Sequence, residues 1–385
     1  MPARWGRYLE RWASAGLIEP AAAERIRAYE AEQEKAQGLR WPVLLAISLG
    51  GLLLGAGLLL FVAAHWDTLS PAERFALVLL LVALFHIAGA LMTERFSPLS
   101  STLHAVGTIC LGAGIFLAGQ IFHLQEHWPG GVMLWAIGAC AAALLLRDWP
   151  QAALVAVLTP LWLSGEWLEA TRGWSGRDKI LAEGLLLLAI SYLTAPLPEK
   201  ETPIQTPLVW IGGLALIPLT VAVVIESSIL SASYWPPLPG SYRVLGWIGA
   251  LVLPLGLAWW LRGNAAWMNL IAALWVVALG STSLRLEPGE SLLPYAWREL
   301  GPYGMCALGA LGLIVWGLQD ARKAQINLGI AGFALTVIAF YFSTVMDKLG
   351  RAASLIGLGV LFLLGGWLLE KTRRRLVARL EKGET

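Results

Sequence analysis

Two apolar segments near the start of the chain end on residues that can do chemistry. The first stops at His65-Trp66-Asp67, and the third stops within GQIFHLQEHWPGG, residues 119–131. Histidine and carboxylate together are the ingredients of a metal site or a proton relay. Their spacing matches no recognised ligand motif, and Trp and His also favour the membrane–water interface. The pattern therefore leaves interfacial anchoring and an outward-facing binding site open, and it predicts neither a bound metal nor a cofactor.

The binding-site hypothesis combines the polar and aromatic ends of these segments with one acid inside a span. The residues are Trp66, Asp67, Gln120, His123, Trp128 and Glu183. An ionisable side chain inside a membrane span is costly and marks function by default. Glu183 lies one turn into the sixth apolar segment, so we expect it to pair with Lys179, four residues earlier, or with an outer histidine.

Two further histidines fall within apolar segments. We expect His86, the deeper one, to hydrogen-bond to a neighbouring helix in preference to transferring a proton. His104 lies near the cytoplasmic end of its segment, where we expect it to be solvated. Neutral histidine avoids most of the cost of a buried charge.

The composition places the chain in a membrane. Hydrophobic residues make up 57% of its 385 residues and charged residues 14%, whereas soluble domains are about 45–50% apolar and 25% charged. The apolar residues form about twelve blocks that suit transmembrane helices. These blocks are 41–64, 73–93, 101–122, 130–147, 150–165, 179–195, 206–226, 243–262, 265–282, 302–319, 325–344 and 351–370. The fifth and sixth are the weakest, because Pro160 and Glu183 interrupt them.

Charge asymmetry predicts the orientation. Of the 28 Lys and Arg residues, seven lie in residues 1–40 and six follow Leu369. By the positive-inside rule both termini are cytoplasmic, in a bacterial inner membrane. Glycines such as Gly107, Gly112 and Gly309 favour close helix packing, and the 20 tryptophans suit interfacial belts.

The sequence divides into four parts. Residues 1–40 contain a predicted cytoplasmic helical hairpin, in which Gly16 ends the first helix and Pro20 begins the second. Residues 41–147 form a first four-helix membrane unit, residues 148–370 hold the remaining spans, and residues 371–385 are a basic cytoplasmic tail. The prediction is thus an all-α, polytopic membrane protein with about twelve spans.

Three classes of function fit this architecture. The leading hypothesis is a transporter- or flippase-like protein with an outward-facing polar site. The alternative is a scaffold or sensor that binds a cytoplasmic protein through residues 3–36 and its basic tail. A membrane enzyme acting on a lipid-linked substrate is less favoured, because no catalytic motif is present. Membrane lipids are the expected partners, no nucleic-acid signature is found, and the oligomeric state is open.

Parts of the chain resemble a bacterial family of predicted membrane proteins, domain of unknown function 2157. The likeness covers roughly residues 10–150 and rests on residues 12–30, 54–75 and 111–139. The family's Trp-Asp pair after the first span is matched by Trp66-Asp67. Its Gly-Gln-Ile-aromatic-His element is matched by residues 119–123, and the following Trp-Pro by Trp128-Pro129. The resemblance implies a membrane architecture and these motif residues, and it brings no established activity.

Overall fold

The computed structural model describes residues 9, 11–37, 46, 49–50, 53, 57, 60, 70–121, 127–195, 205–229, 235–282, 293–345, 359–360, 363 and 367. Across these ranges the chain forms eleven α-helices and no strand. The first six are α1 (Pro20–Gln37), α2 (Pro71–Met92), α3 (Ser97–Ile121), α4 (Trp128–Leu146), α5 (Trp149–Ala170) and α6 (Arg177–Leu193). The others are α7 (Gln205–Ile229), α8 (Gly240–Arg262), α9 (Trp267–Ser281), α10 (Leu293–Gln319) and α11 (Lys323–Phe340).

Ten of the twelve predicted apolar segments coincide with helices α2 to α11. The other two, 41–64 and 351–370, lie outside the described residues apart from isolated helical positions. Seven helical segments of the described chain, with α8 and α9 counted as one, are long and apolar enough to cross a membrane. Helices α5 and α6 are not among them. The all-helical class with several candidate spans is confirmed, and the number of twelve stays a prediction.

The N-terminal segment has some features of the predicted hairpin. Gly16 adopts the left-handed backbone region at φ 69°, where glycine avoids the steric cost of a Cβ. Helix α1 begins at Pro20, the position that the sequence predicts. Four apolar side chains of this segment are exposed, namely Trp12, Leu17, Ile26 and Tyr29. A packed pair of helices on the cytoplasmic side therefore remains a prediction.

The chain separates into two compact units, Met1–Gly107 and Thr108–Thr385. In the first unit, α2 begins with a capping box. The hydroxyl of Ser70 accepts a hydrogen bond from the amide of Glu73 at 3.4 Å. The carboxylate of Glu73 in turn accepts from the amide of Ser70 at 2.7 Å. This reciprocal pair satisfies two amides that the helix itself leaves free.

Helix α6 lies at the centre of the second unit, where it packs against α5, α7, α8 and α9. Side-chain contacts show the direction of each neighbour. The start of α6 meets the end of α9, where Glu183 contacts Gly280. The end of α6 meets the start of α9, where the amide of Asn269 donates to the hydroxyl of Thr194 at 3.2 Å. Helices α6 and α9 are therefore antiparallel.

Side-chain contacts also show the directions of α5 and α8 relative to α6. The hydroxyl of Tyr192, near the end of α6, donates to the carbonyl of Ala156 near the start of α5 at 3.0 Å, so these helices are antiparallel. Gly184 contacts Ala250, and Thr194 binds Arg262, so α6 and α8 run in parallel. Successive helices thus alternate in direction, as in a chain that crosses one layer repeatedly.

The middle of α6 forms an apolar core with its neighbours. Leu186, Leu187, Val276 and Leu279 are fully buried there. Elsewhere, aromatic rings of one helix sit on glycines of another: Trp135 on Gly112, Trp167 on Gly246 and Trp275 on Gly309. The prediction of close packing is confirmed at Gly112 and Gly309, and it is wrong at Gly312, where a Cβ would meet no atom of the described residues within 4 Å. The prediction of interfacial tryptophans does not extend to these three rings, since each packs between helices.

Candidate functional site

Glu183 is the most deeply buried carboxylate that the structure describes. Its side chain is 1% exposed, and it lies on the face of α6 that meets α9. The absence of a side chain at Gly280 makes room for the carboxylate, because a Cβ there would overlap its oxygens. Gly280 of α9 therefore lies directly opposite the carboxylate of Glu183 on α6.

The carboxylate of Glu183 is poorly satisfied. The nearest cation is the ammonium of Lys179, 3.8 Å from Oε1. Neither carboxylate oxygen accepts a hydrogen bond from any residue in the described part of the chain. Of the two partners predicted for Glu183, the structure shows Lys179. A contact of this length lacks the short charge-assisted hydrogen bond that would offset removal of the carboxylate from water.

A second group of acids joins α4 and α5 at the same end of the unit. The carboxylate of Glu166 lies 2.9 Å from Nε2 of His127 and accepts the indole N–H of Trp162 at 3.1 Å. One turn later, Glu169 accepts the indole N–H of Trp128 at 3.1 Å and a guanidinium N–H of Arg172 at 2.7 Å. Both acids thus hold the first turn of α4 against the last turns of α5.

These contacts change the acidity of Glu169, which lies beyond the predicted span 150–165. Desolvation raises its pKa, but the hydrogen bonds from Trp128 and Arg172 and the charges of Arg172 and His127 outweigh this, so the pKa lies below its usual value. The side chains of His127 and Arg172 are largely exposed, at 57% and 75%. Glu169 is therefore an ionised, solvent-facing group, unlike Glu183.

The structure places three of the six predicted site residues at one end of the second unit. Trp128 begins α4, and Glu183 lies in the second turn of α6. These helix starts are neighbours, because α5 ends beside both: Trp128 binds Glu169, and the indole of Trp167 donates to the carbonyl of Arg177 at 3.0 Å. Gln120 is exposed near the end of α3, which runs antiparallel to α4. No contact joins Gln120, Trp128 and Glu183 directly among the described residues.

The other three predicted site residues, Trp66, Asp67 and His123, lie outside the described residues. Their proposed role in an outward-facing site stays a prediction. Among the described residues, no three His, Cys, Asp or Glu side chains are close enough together to hold a metal ion.

In the first unit, His86 and His104 form a pair between α2 and α3. Their Nδ1 atoms are 3.0 Å apart, so one imidazole donates a hydrogen bond to the other. Each ring also packs on a glycine of the opposite helix, His86 on Gly107 and His104 on Gly89. The prediction of an interhelical hydrogen bond for His86 is confirmed. The prediction of a solvated His104 is wrong, because this residue is only 6% exposed, buried by its own partner.

The sequence analysis missed a buried polar cluster at the far end of α6. The guanidinium of Arg262, with a side chain 1% exposed, donates to a carboxylate oxygen of Asp320 at 2.9 Å. It also donates to the carbonyl of Thr194 and lies 5.4 Å from the centre of the Trp316 ring. Asn269 completes the group through the hydroxyl of Thr194. We call Thr194, Arg262, Asn269, Trp316 and Asp320 the Arg262 cluster.

A signal for this cluster exists in the sequence. Arg262 and Asp320 each end an apolar segment, and Asn269 and Gln325 each lie just inside the start of one. Alternating helix direction places all four at the same end of the bundle. The cluster was not predicted, because the pairing of α8 with α10 cannot be read from either segment alone.

No curated protein and no solved structure matches the chain. Residues 10–152 match the family model described as predicted membrane protein, DUF2157, which confirms the resemblance over the part of the chain for which the sequence predicts it.

Proposed function

We propose that the protein is a transporter- or flippase-like protein of the bacterial inner membrane, with both termini cytoplasmic and an outward-facing polar site that contains Glu183. The observation that carries the proposal is the burial of a carboxylate whose oxygens accept no hydrogen bond from the described residues. Nothing in stability favours such a group, because an apolar residue of similar volume would pack at no electrostatic cost. Intramembrane acids of this kind mark proton or substrate pathways.

The surroundings of Glu183 support a pathway along α6. Towards one end lies the contact of the Trp128 indole with the carboxylate of Glu169. Past Glu183, the buried side chains of Leu186, Leu187 and Leu279 form an apolar barrier. The Arg262 cluster follows at the other end, since Thr194 lies eleven residues after Glu183, about 16 Å along the helix axis. Two polar regions separated by a dry constriction are the arrangement of an occluded pathway.

The proposed orientation rests on the predicted cytoplasmic N-terminus and on the predicted span at residues 41–64. With both termini cytoplasmic, α6 starts on the outer side, so Glu183, Trp128 and Gln120 belong to the outer half of the bundle. Trp66, Asp67 and His123, which lie outside the described residues, stay predicted members of the proposed site. Glu183 is then the group that binds a proton or a cationic part of a substrate.

Reconstituted vesicles test the proposal. One set is loaded with a pH-sensitive dye and given an inside-negative potential, and a second carries fluorescent phosphatidylglycerol that dithionite can quench. We expect the wild type to move protons or lipid faster than empty vesicles, Glu183→Gln to remove this activity, and Glu166→Gln to retain it. Glu166 is the matched control, since it is a carboxylate at the same end of the unit but is partly exposed. A wild type that matches empty vesicles in both assays, or an active E183Q, contradicts the proposal.

A further inference from the structure

The Arg262 cluster contains more buried polar atoms than its own hydrogen bonds satisfy. Four side chains have polar atoms that form no hydrogen bond with any part of the chain that the structure describes. These atoms are Nε of Arg262, Oδ1 of Asn269, Nε1 of Trp316 and both the Oε1 and Nε2 atoms of Gln325. All four residues are at least nine-tenths buried.

These atoms belong to one neighbourhood. The Arg262 guanidinium lies over the Trp316 ring, and both Arg262 and Asn269 bind Thr194. Gln325 of α11 packs against Gly317, the residue after Trp316. A Cβ built on Gly317 would lie 3.0 Å from the Cβ of Gln325. Three N–H donors and two carbonyl acceptors therefore lie at the same end of the second unit, on α8, α9, α10 and α11.

An unsatisfied polar atom costs about 1–3 kcal/mol when it is buried, so five in one place would cost about as much as the whole net stability of a typical protein. Buried polar groups in native proteins are almost always bonded to protein or to ordered water. The charges and the hydrogen-bonding types of these atoms limit which molecule can bind among them. Arg262 and Asp320 neutralise each other, and the remaining atoms include both donors and acceptors. A neutral molecule that donates and accepts hydrogen bonds fits this set, whereas a lone anion or cation does not.

We infer that the Arg262 cluster, together with Gln325, binds ordered water in a small polar cavity that communicates with the aqueous phase beside Asp320. Asp320 marks the entrance, because its side chain is 12% exposed while that of Arg262 is 1% exposed. On the side that faces the middle of α6, the buried side chains of Leu187 and Val276 close the cavity with apolar surface. This cavity goes beyond the proposed function, since it rests on the satisfaction of buried polar atoms and not on any role of Glu183.

Radiolytic footprinting of the wild-type protein in lipid nanodiscs, in water enriched in oxygen-18, tests the inference directly. Hydroxyl radicals formed at ordered water oxidise the nearest side chains. Trp316 is 5% exposed, so without local water it should be protected. The matched control is Trp275, which is less buried but whose indole N–H already donates to the carbonyl of Met305 at 2.8 Å. We expect Trp316 to incorporate oxygen-18 several times faster than Trp275. Equal or slower labelling of Trp316 overturns the inference.

Cysteine accessibility gives a second, independent test. In a background in which Cys110, Cys140 and Cys306 are replaced by Ala, Asn269→Cys and Gln325→Cys are compared with Val276→Cys, which places a thiol in the apolar barrier. A small, uncharged thiol reagent, methyl methanethiosulfonate, should modify N269C and Q325C and leave V276C unmodified. Unreactive thiols at both cluster positions, in variants that elute as folded monodisperse protein, contradict the cavity. If these variants do not fold, the wild-type footprinting decides.

The two proposals fail separately. Labelling of Trp316 in a protein that moves neither protons nor lipid would leave the cavity in place and reject the transport function. Transport that depends on Glu183, in a protein whose Trp316 is not labelled, would support the transport function and reject the cavity.

Discussion

At one end of α6, Glu183 lies beside a single cation at 3.8 Å, whereas at the other end Arg262 binds a carboxylate, a carbonyl and an aromatic ring. Both side chains are 1% exposed, so burial alone does not distinguish them. The difference lies in how far each charge is compensated. Arg262 has partners at the ends of two other helices, Thr194 at α6 and Trp316 and Asp320 at α10, and Glu183 has one partner on its own helix.

This difference separates two uses of a buried charge. A compensated ion pair joins helices and is lost at great cost when one partner is removed. An under-compensated acid contributes little to stability, and its persistence requires another explanation. The predictions below test whether the two ends behave as structural and functional sites, respectively.

The largest effect is expected from breaking the ion pair at Arg262. Arg262→Met leaves Asp320 without its partner and removes the hydrogen bond to Thr194, so the free energy of unfolding should fall by about 3–5 kcal/mol. The double variant Arg262→Met/Asp320→Leu should recover most of this loss. Thermal unfolding in one detergent measures both, with Arg243→Met as control, because Arg243 is exposed on the same helix. Equal losses in R262M and R243M would show that the cluster is not structural.

A smaller loss is expected from filling the space beside Glu183. Gly280→Ala places a methyl group against the carboxylate, and overpacking of this kind typically costs about 1–3 kcal/mol. Adding Glu183→Ala should relieve most of the cost. Gly249→Ala is the control, since a Cβ at Gly249 meets no atom within 4 Å and should stabilise the helix by up to about 1 kcal/mol. A G280A variant as stable as G249A would mean that Glu183 does not lie against α9.

The smallest effects are expected at the partly exposed acids of α5. Glu166→Gln and Glu169→Gln should each leave the free energy of unfolding close to that of the wild type, because such surface ion pairs contribute little. The pKa of Glu169 is lowered in the folded state, so its interactions stabilise above the unfolded pKa and are lost as the pH falls through the folded pKa. Thermal unfolding measured between neutral and acidic pH should therefore decline less steeply for E169Q than for the wild type. Identical slopes would contradict the assigned contacts of Glu169.

The sequence predicted the positions of the helices and the behaviour of single residues. It did not predict which residues on different helices pair with each other. Apolar length located α2 to α11, and the spacing of Lys179 and Glu183 on one helix face predicted their contact. The cost of an unpaired polar group predicted that His86 would find a partner, but not that the partner would be His104. Arg262 and Asp320 are separated by 58 positions, and only the packing of α8 beside α10 brings them together. Residues Trp66, Asp67 and His123 remain predictions.

Two isosteric neutralisations, Glu183→Gln and Asp320→Asn, test the contrast between the two ends of α6 most directly. Each replaces one carboxylate by an amide of the same shape, and thermal unfolding of both variants is measured in the same detergent and buffer. We expect E183Q to unfold at the wild-type temperature or above it, since it removes a poorly compensated charge. We expect D320N to unfold well below it, since it leaves Arg262 without its counter-ion. An E183Q variant that loses as much thermal stability as D320N would show that Glu183 is a structural residue and would contradict this interpretation.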